Sequence, residues 1–161
     1  MIHHRWHPLN DVFVWLSKIG TYGLVWLVIG LVVALVWRRV MPFALVVLAV
    51  AAADGIATLL KVAIGGTRPS DKGSLVTIPH SHSFPSGHTA VAFAAAVVLS
   101  WLVPRAAPAF FVLALAIGYS RIYIGVHWPL DVVGGAVTGL VTALLLLAVA
   151  RRRSVRLRRS G

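Results

Sequence analysis

The chain has 161 residues, of which 59% are hydrophobic and only 12% are charged, and its mean hydropathy is +0.89. Soluble domains contain roughly 45–50% apolar and about 25% charged residues, so this composition argues against a water-soluble globule. The absence of cysteine excludes disulfides, thiolate catalysis and cysteine-ligated metals. Four aspartates and no glutamate leave too few carboxylates for an all-carboxylate metal cage.

The net charge of +11 is concentrated at the C-terminus, where residues 151–161 hold six of the fifteen basic side chains. A basic cluster directly after a long apolar run is typical of the cytoplasmic flank of a membrane span. We therefore expect the charge to serve the bilayer surface, and we expect no nucleic-acid partner because no folded basic face remains to contact bases.

Five apolar runs are long enough, at about 20 residues each, to cross a bilayer as helices. They predict an all-α integral membrane bundle of about five transmembrane helices over residues 21–150, within a single domain of residues 1–161. The runs are Thr21–Trp37, Pro42–Ile64, Ser86–Val103, Pro108–Ile124 and Pro129–Ala150.

Residues 10–20 precede the first run and are too short to span. Their apolar side chains share one helical stripe, which predicts an amphipathic helix lying in the membrane interface, followed by a turn near Gly20. The alternative is one long tilted helix from Asp11 to Trp37. The stripe is Val12, Phe13, Trp15, Leu16 and Ile19, with Asp11, Ser17 and Lys18 off it.

The orientation follows from the basic residues, since the cytoplasmic side of a membrane protein carries the excess of lysine and arginine. One side holds Arg38, Arg39, Arg105 and the six tail arginines, against six basic residues on the other. We therefore expect a cytoplasmic tail, and exoplasmic loops at Thr67–Pro85 and Tyr119–Trp128.

The first polar cluster is Lys61 with Arg68 and Pro69, at the exoplasmic end of the second run. Two fixed cations at a helix exit make a site for an anion. Taken alone, the pair has another explanation, in which Lys61 extends to the interface and Arg68 is a solvated loop residue.

The second cluster is Pro85-Ser86-Gly87-His88, at the start of the third run. Proline and serine are typical of helix starts, and Gly87 allows an anion to approach the free N–H groups there. The alternative is a helix cap beside an incidental histidine.

The third cluster is Ser120-Arg121, His127 and Asp131. Asp131 follows His127 by four residues at the start of the fifth run, so one helical turn can bring the carboxylate to the imidazole. That contact fixes the tautomer and stabilises the imidazolium. A purely structural histidine–aspartate pair is the alternative for this cluster alone.

Together, the three clusters place cations, two histidines, one carboxylate and a helix N-terminus on one membrane face, a set that suits a phosphate with developing negative charge. The chain resembles the type 2 phosphatidic acid phosphatase (PAP2) superfamily over about residues 9–150. The matching signatures are Lys61-x6-Arg68-Pro69, Pro85-Ser86-Gly87-His88 and Ser120-Arg121-x5-His127-x3-Asp131.

The resemblance implies a role for each matching residue. His127 is expected to be the nucleophile that forms a phosphohistidine, Asp131 its orienting partner, and His88 the general acid and then base. Lys61, Arg68, Arg121, Ser86 and the Gly87 backbone are expected to bind the phosphate. No metal and no other cofactor is implied. The chain departs from the family's usual six-span plan, since the interfacial helix replaces the first span.

Three residues lie outside the signatures. Asp54 falls mid-span, seven residues before Lys61, and is either a paired structural carboxylate or a contact to Lys61 or to the substrate. His80 and His82 are expected to be solvated loop residues.

The leading hypothesis is a membrane lipid phosphatase with an exoplasmic site. Its candidate substrates are a polyprenyl diphosphate, a polyprenyl phosphosugar, phosphatidylglycerol phosphate and phosphatidic acid. The alternative is a non-catalytic phospholipid-binding or transport protein that uses the same cationic site. The sequence does not determine the oligomeric state.

Overall fold

The computed structural model describes residues 7–69 and 74–159, and these residues form helices and connecting loops without a strand. The predicted all-α class is therefore confirmed. The six helices are α1 His7–Ile19, α2 Leu24–Trp37, α3 Met41–Ile64, α4 Gly87–Leu102, α5 Ala107–Tyr123 and α6 Pro129–Arg159.

The helix ends follow from local residue types. Pro42 lies in the first turn of α3, where its missing N–H has no helical partner to lose. Gly65 ends the same helix with a φ of 76°, a conformation that glycine adopts without steric cost. Pro129 opens α6 two residues after His127, so Asp131 falls in the first turn of that helix. These boundaries place the polar clusters at the ends of the helices.

Three helices are long and apolar enough to cross a membrane, namely Met41–Ile64, Pro104–Tyr123 and Pro129–Arg152. A fourth crossing is possible if α1 and α2, which are bent by 60° at a short break, count as one broken span. The 16 residues of α4 extend over only about 24 Å at 1.5 Å per residue, less than the roughly 30 Å of a hydrocarbon core. The described residues thus support three to four spans, and five remains a prediction.

The short helix α4 is the centre of the bundle, with α3, α5 and α6 packed around it. Its buried face is built largely from alanine, including Ala90 and Ala94, which lets neighbouring backbones approach closely. Gly135 and Gly139 of α6 face the α4 backbone, so that a Cβ at either position would overlap a carbonyl oxygen of Ser86 or Ala90. Small residues at such a contact are how membrane helices achieve close packing.

Substituting Gly139 with alanine should destabilise the fold, because the added methyl group overlaps the Ala90 carbonyl oxygen and forces α4 and α6 apart. Overpacking of this kind costs about 1–3 kcal/mol. Gly55→Ala in α3 is the matched control, since a Cβ there meets nothing within 4 Å. That control should be neutral or stabilising by up to about 1 kcal/mol. Thermal unfolding in detergent measures both, and equal unfolding temperatures for the two variants would contradict the close-packing account.

The N-terminal helix α1 packs on α5 through Phe13, whose ring lies 5.4 Å from Tyr119 and 4.3 Å from Tyr123 between centroids. The turn expected near Gly20 is present as a break and a 3-10 turn at Thr21–Gly23, so a single straight helix from Asp11 to Trp37 does not form. Phe13 belongs to the predicted apolar stripe, and the placement of α1 in the membrane interface remains a prediction.

Val12 and Trp15 from that stripe are 54% and 64% exposed, whereas Ser17 from the predicted polar side is buried. Ser17 is buried because its hydroxyl accepts a hydrogen bond from Arg121, a buried arginine of α5 that needs a polar partner.

The final helix α6 continues without a break to Arg159. The predicted boundary at Ala150, where the span was expected to give way to a tail, is therefore not a helix end. Arginine is a good helix former, and the run contains no proline or glycine to stop it before Gly161. Near this boundary, the Arg151 guanidinium lies 6.0 Å from the Trp101 ring centroid, a cation–π distance that ties α6 to the end of α4.

Candidate active site

A cavity of about 230 Å³ opens where the C-terminal end of α3, the start of α4 and the end of α5 meet. All three sequence clusters contribute to its wall, although they are separated by up to 70 residues along the chain. The charged and imidazole side chains that line it are Asp54, Lys61, Arg68, His88, Arg121 and His127, beside Gly20, Thr21 and Gly23 from the α1–α2 break.

His127 and Asp131 form the expected pair. His127 Nδ1 lies 3.3 Å from Asp131 Oδ2, and both side chains are buried. A neutral imidazole that donates from Nδ1 to a carboxylate has its lone pair at Nε2. That atom lies 3.4 Å from Arg68 Nη1, at the wall of the cavity.

The turn after α5 explains how Arg121 and His127 come to lie close together. The backbone N–H groups of Val126 and His127 both donate to the Arg121 carbonyl oxygen, at 3.2 and 3.3 Å. The chain therefore folds back on the end of α5 and brings the arginine and the histidine to the same place.

Asp131 has two further partners that the sequence did not reveal. The Ser83 hydroxyl donates to Oδ2, and the backbone N–H of Trp128 donates to the same oxygen at 2.8 Å. Ser83 carries no sequence signal, because it is one of several serines in a polar loop and its partner lies 48 residues away. These donors fix the position of the carboxylate, which suits it to orient His127.

The cations Lys61 and Arg68 hold the loop that carries Ser83. Lys61 Nζ donates to the carbonyl oxygens of His82 and Ser83 at 3.3 Å and of Pro85 at 2.5 Å. Arg68 donates to the Ser81 carbonyl oxygen at 2.8 Å and to that of Val126 at 2.9 Å. Both therefore organise the backbone around the cavity while adding positive charge to it.

The start of α4 is anchored from both sides. The Ser86 backbone N–H donates to the Asp131 carbonyl oxygen at 2.9 Å, and Thr89 Oγ1 donates to Ser86 Oγ at 3.0 Å. Ser86 is fully buried, whereas Gly87 and His88 line the cavity. Ser86 occupies the cap position of α4, and its hydroxyl caps no backbone N–H of the helix. Its expected role as a phosphate donor remains a prediction.

Residues of the N-terminal segment complete the site, which the sequence did not indicate. A guanidinium N–H of the buried Arg121 donates to the Ser17 hydroxyl. Thr21 Oγ1 donates to the Ser17 carbonyl oxygen at 3.3 Å and lies 3.4 Å from His88 Nε2. The only sequence signal for Ser17 was a polar residue on an otherwise apolar helix. The α1–α2 break is thus part of the cavity wall.

On the lipid-phosphatase hypothesis that the three signatures support, we expect Ser17→Ala to lower kcat/KM about tenfold, because Arg121 loses a buried hydrogen-bond partner and with it a fixed position. Thr58→Val is the matched control, since it also removes a hydroxyl but from an exposed position of α3 outside the cavity. Phosphate release measured across substrate concentrations separates the two variants, and equal kcat/KM values would refute a positioning role for Ser17.

The electrostatics of the cavity act on His127. Burial, followed by the positive charges of Arg68 and Arg121, holds the pKa of His127 well below its ordinary value of 6.5. The imidazole is therefore neutral at physiological pH, as a nucleophile must be.

Lowering the pH from about 8 to about 5, the range in which an ordinary histidine gains its proton, should leave His127 neutral. In Arg68→Gln the pKa of His127 should rise, because a neighbouring positive charge that opposes protonation is gone. NMR of histidine labelled at ring carbon Cε1 measures both titrations, and His127→Ala assigns the signal. A His127 signal that titrates near pH 6.5 in the wild type would contradict this electrostatic account.

Two further histidines, His80 and His82, lie in the central loop between α3 and α4 and are exposed, as expected. Among the described residues, no group of three or more His, Cys, Asp or Glu side chains is placed to hold a metal ion. Metal-independent chemistry remains a prediction.

The fold and the site define an α-helical membrane protein with a histidine–aspartate pair inside a cationic cavity. The sequence profile of the PAP2 superfamily matches residues 42–154, so the chain belongs to this family. The family resemblance drawn from the three signatures is confirmed.

The chain is also similar to individual proteins. The chain is 32% identical to the bacitracin transport permease protein BcrC of Bacillus licheniformis, over 91% of this chain and 74% of that protein. It is 31% identical to the undecaprenyl-diphosphatase of Sulfolobus acidocaldarius, over 81% of this chain and 66% of that protein.

Among solved structures, the PAP2-type phosphatidylglycerolphosphate phosphatase of Bacillus subtilis superposes with a TM-score of 0.77 at 25% identity. The match covers 94% of this chain and 81% of that one. The expected class, a membrane enzyme of the lipid-phosphate phosphatase family, is confirmed at this level.

Proposed function

We propose that the chain hydrolyses a phosphomonoester, or the terminal phosphate of a diphosphate, on a membrane lipid through a phosphohistidine at His127. One observation carries this proposal. His127 Nδ1 lies 3.3 Å from Asp131 Oδ2, and Nε2 faces a cavity whose other charged groups are mostly cations.

In the first step, the Nε2 lone pair of His127 attacks phosphorus, and the bond from phosphorus to the leaving oxygen breaks. His88, which lines the same cavity at the start of α4, donates a proton to that oxygen. Burial and the neighbouring cations lower the pKa of His88 in the free protein, and the negative charge of the bound phosphate favours the protonated imidazole that this step requires. Asp131 stabilises the positive charge that develops on the imidazole. The products of this step are the dephosphorylated lipid and phosphohistidine.

In the second step, water attacks the phosphohistidine. His88, now deprotonated, accepts the proton of the water, and the bond from phosphorus to Nε2 breaks to release inorganic phosphate. Lys61, Arg68 and Arg121 stabilise the negative charge that spreads over the phosphate oxygens in both steps, and the Ser86 hydroxyl and Gly87 N–H are further donors. The chemistry needs no group other than these side chains and water.

The substrate is one of four lipid classes: a polyprenyl diphosphate, a polyprenyl phosphosugar, phosphatidylglycerol phosphate or phosphatidic acid. Release of inorganic phosphate from each lipid by the purified chain in detergent tests the proposal. Turnover of at least one class, inhibition by orthovanadate as a mimic of the trigonal bipyramidal transition state, and insensitivity to EDTA are expected. No turnover of any class would refute the phosphatase function.

A second candidate function is lipid binding or transport without turnover, which the similarity to a transport permease protein of Bacillus licheniformis favours. The complete His127–Asp131 pair argues against it, since a binding site alone needs neither a nucleophile nor its orienting carboxylate. Saturable lipid-phosphate binding together with no phosphate release would support this alternative.

We also propose a membrane placement with about five spans, α1 in the exoplasmic interface and the arginine-rich end of α6 in the cytoplasm. The excess of basic residues at that end supports it. The chain lacks cysteine, so single-cysteine variants report sidedness cleanly. In intact cells His80→Cys should react with a membrane-impermeant maleimide and Ser160→Cys should not; the reverse pattern would invert the topology.

A further inference from the structure

Among the residues that the structure describes, Asp54 is the one acidic side chain of the cavity wall, and the phosphate mechanism does not use it. It lies on α3 seven residues before Lys61, which is two helical turns, or about 10 Å, deeper along the helix. Its side chain is exposed, and none of the described residues forms a hydrogen bond or an ion pair with it. The carboxylate therefore faces the cavity without a protein partner.

The neighbours of Asp54 place it beside the reacting groups. A Cβ built on Gly87 would lie 3.7 Å from Asp54 Oδ1, so the carboxylate stands next to the start of α4 and close to His88. Deeper in the cavity wall are Val91 and Gly23, which are apolar. Asp54 thus lies between the phosphate-binding cations and the apolar part of the wall.

An unpaired carboxylate in a membrane-spanning helix is costly, and such groups mark sites that take a polar partner. Lys61 is not this polar partner, because its Nζ donates to three backbone carbonyl oxygens of the loop before α4. The missing partner is therefore a group that donates hydrogen bonds from inside the cavity.

The position of the lipid restricts what that group is. Its tails lie in the bilayer, so the atoms that follow the scissile phosphate must run from the cations inward, past the depth of Asp54. A carboxylate there accepts hydrogen bonds from a hydroxyl group and repels a second phosphate.

We propose that Asp54 binds a hydroxyl group located between the scissile phosphate and the lipid, so that this protein prefers phosphomonoesters carried on a polyol or sugar headgroup over lipid diphosphates. This preference rests on the proposed phosphatase function and adds a specificity residue to the same site.

The test compares three substrates of the purified full chain by kcat/KM. They are phosphatidylglycerol phosphate, its deoxy analogue in which propane-1,3-diol replaces the glycerol of the headgroup, and a polyprenyl diphosphate. The wild type should favour the hydroxyl-bearing lipid over its deoxy analogue by about tenfold or more, the worth of a hydrogen bond to a charged group. Equal kcat/KM values for these two lipids would overturn the proposal without the need for any variant.

Asp54→Asn removes the negative charge at nearly constant shape, and Asp11→Asn makes the same change at an exposed position of α1 outside the cavity. In Asp54→Asn the preference for the hydroxyl-bearing lipid should fall about tenfold, and the kcat/KM for the diphosphate should rise relative to both other lipids. Asp11→Asn should keep the wild-type ratios.

The outcomes separate this inference from the proposed function. A loss in Asp54→Asn that is equal for all three lipids would assign the carboxylate a structural or electrostatic role and overturn the specificity proposal, with the phosphatase function intact. Absence of phosphate release from every lipid by the wild type would overturn the phosphatase function itself.

Discussion

Phosphate release should fall by a factor on the order of 10³ or more in His127→Ala, because the variant has no atom to form the covalent intermediate. The buried site should tolerate the smaller side chain, since the backbone of this turn is fixed by two hydrogen bonds to the Arg121 carbonyl oxygen. Single-turnover assays with a lipid carrying ³²P in the scissile phosphate measure the loss and also show whether labelled protein forms in the wild type.

His80→Ala is the matched control for this variant, since it removes an imidazole from an exposed position of the central loop. It should retain nearly full activity and should still acquire label. If His127→Ala kept turnover within about tenfold of the wild type, another residue would have to be the nucleophile.

Asp131→Asn should lower kcat by about 10²–10⁴, the range expected when the carboxylate that orients a catalytic histidine becomes an amide. The amide NH₂ group can donate to His127 Nδ1 and thereby select the tautomer with its hydrogen on Nε2, which removes the lone pair needed for attack. The expected signature is a fall in kcat with little change in KM, because the phosphate-binding cations remain in place.

Ser83→Ala provides a graded comparison, since it removes one of the donors to Asp131 and leaves the carboxylate itself. Its loss should be about tenfold or less, the effect of one hydrogen bond to a charged group. A larger loss in Ser83→Ala than in Asp131→Asn would show that the serine acts on the substrate and not through Asp131.

Much of the site could be predicted from the sequence because its chemistry lies in short local patterns. The spacing of His127 and Asp131 is a helical property, and the structure brings them within 3.3 Å as expected. Lys61 lies in the last turn of α3 and Arg68 follows the glycine break after it, and both features leave strong local signals. The shortage of carboxylates made each aspartate a candidate from the start, and Asp131 and Asp54 both line or adjoin the cavity.

The partners of these residues could not be predicted in this way. Ser83 meets Asp131 across 48 positions, and Ser17 meets Arg121 across 104. A hydroxyl that contacts a distant element leaves no periodic pattern, since only the packing of the bundle decides which serine lies opposite which charge. The burial of Ser17 in α1 could not be predicted for the same reason, because its partner Arg121 lies on α5.

The sequence by itself determined the class of the fold, the family and the ends of the helices that carry the reacting groups, because hydropathy, helix termini and short spacings act within a few residues. Only the tertiary structure decided that the N-terminal break lines the cavity, that Ser83 binds Asp131, and that Asp54 lies in the same cavity wall. These features depend on the close approach of α4 and α6 and on the docking of α1 against α5, which are properties of the packed bundle as a whole.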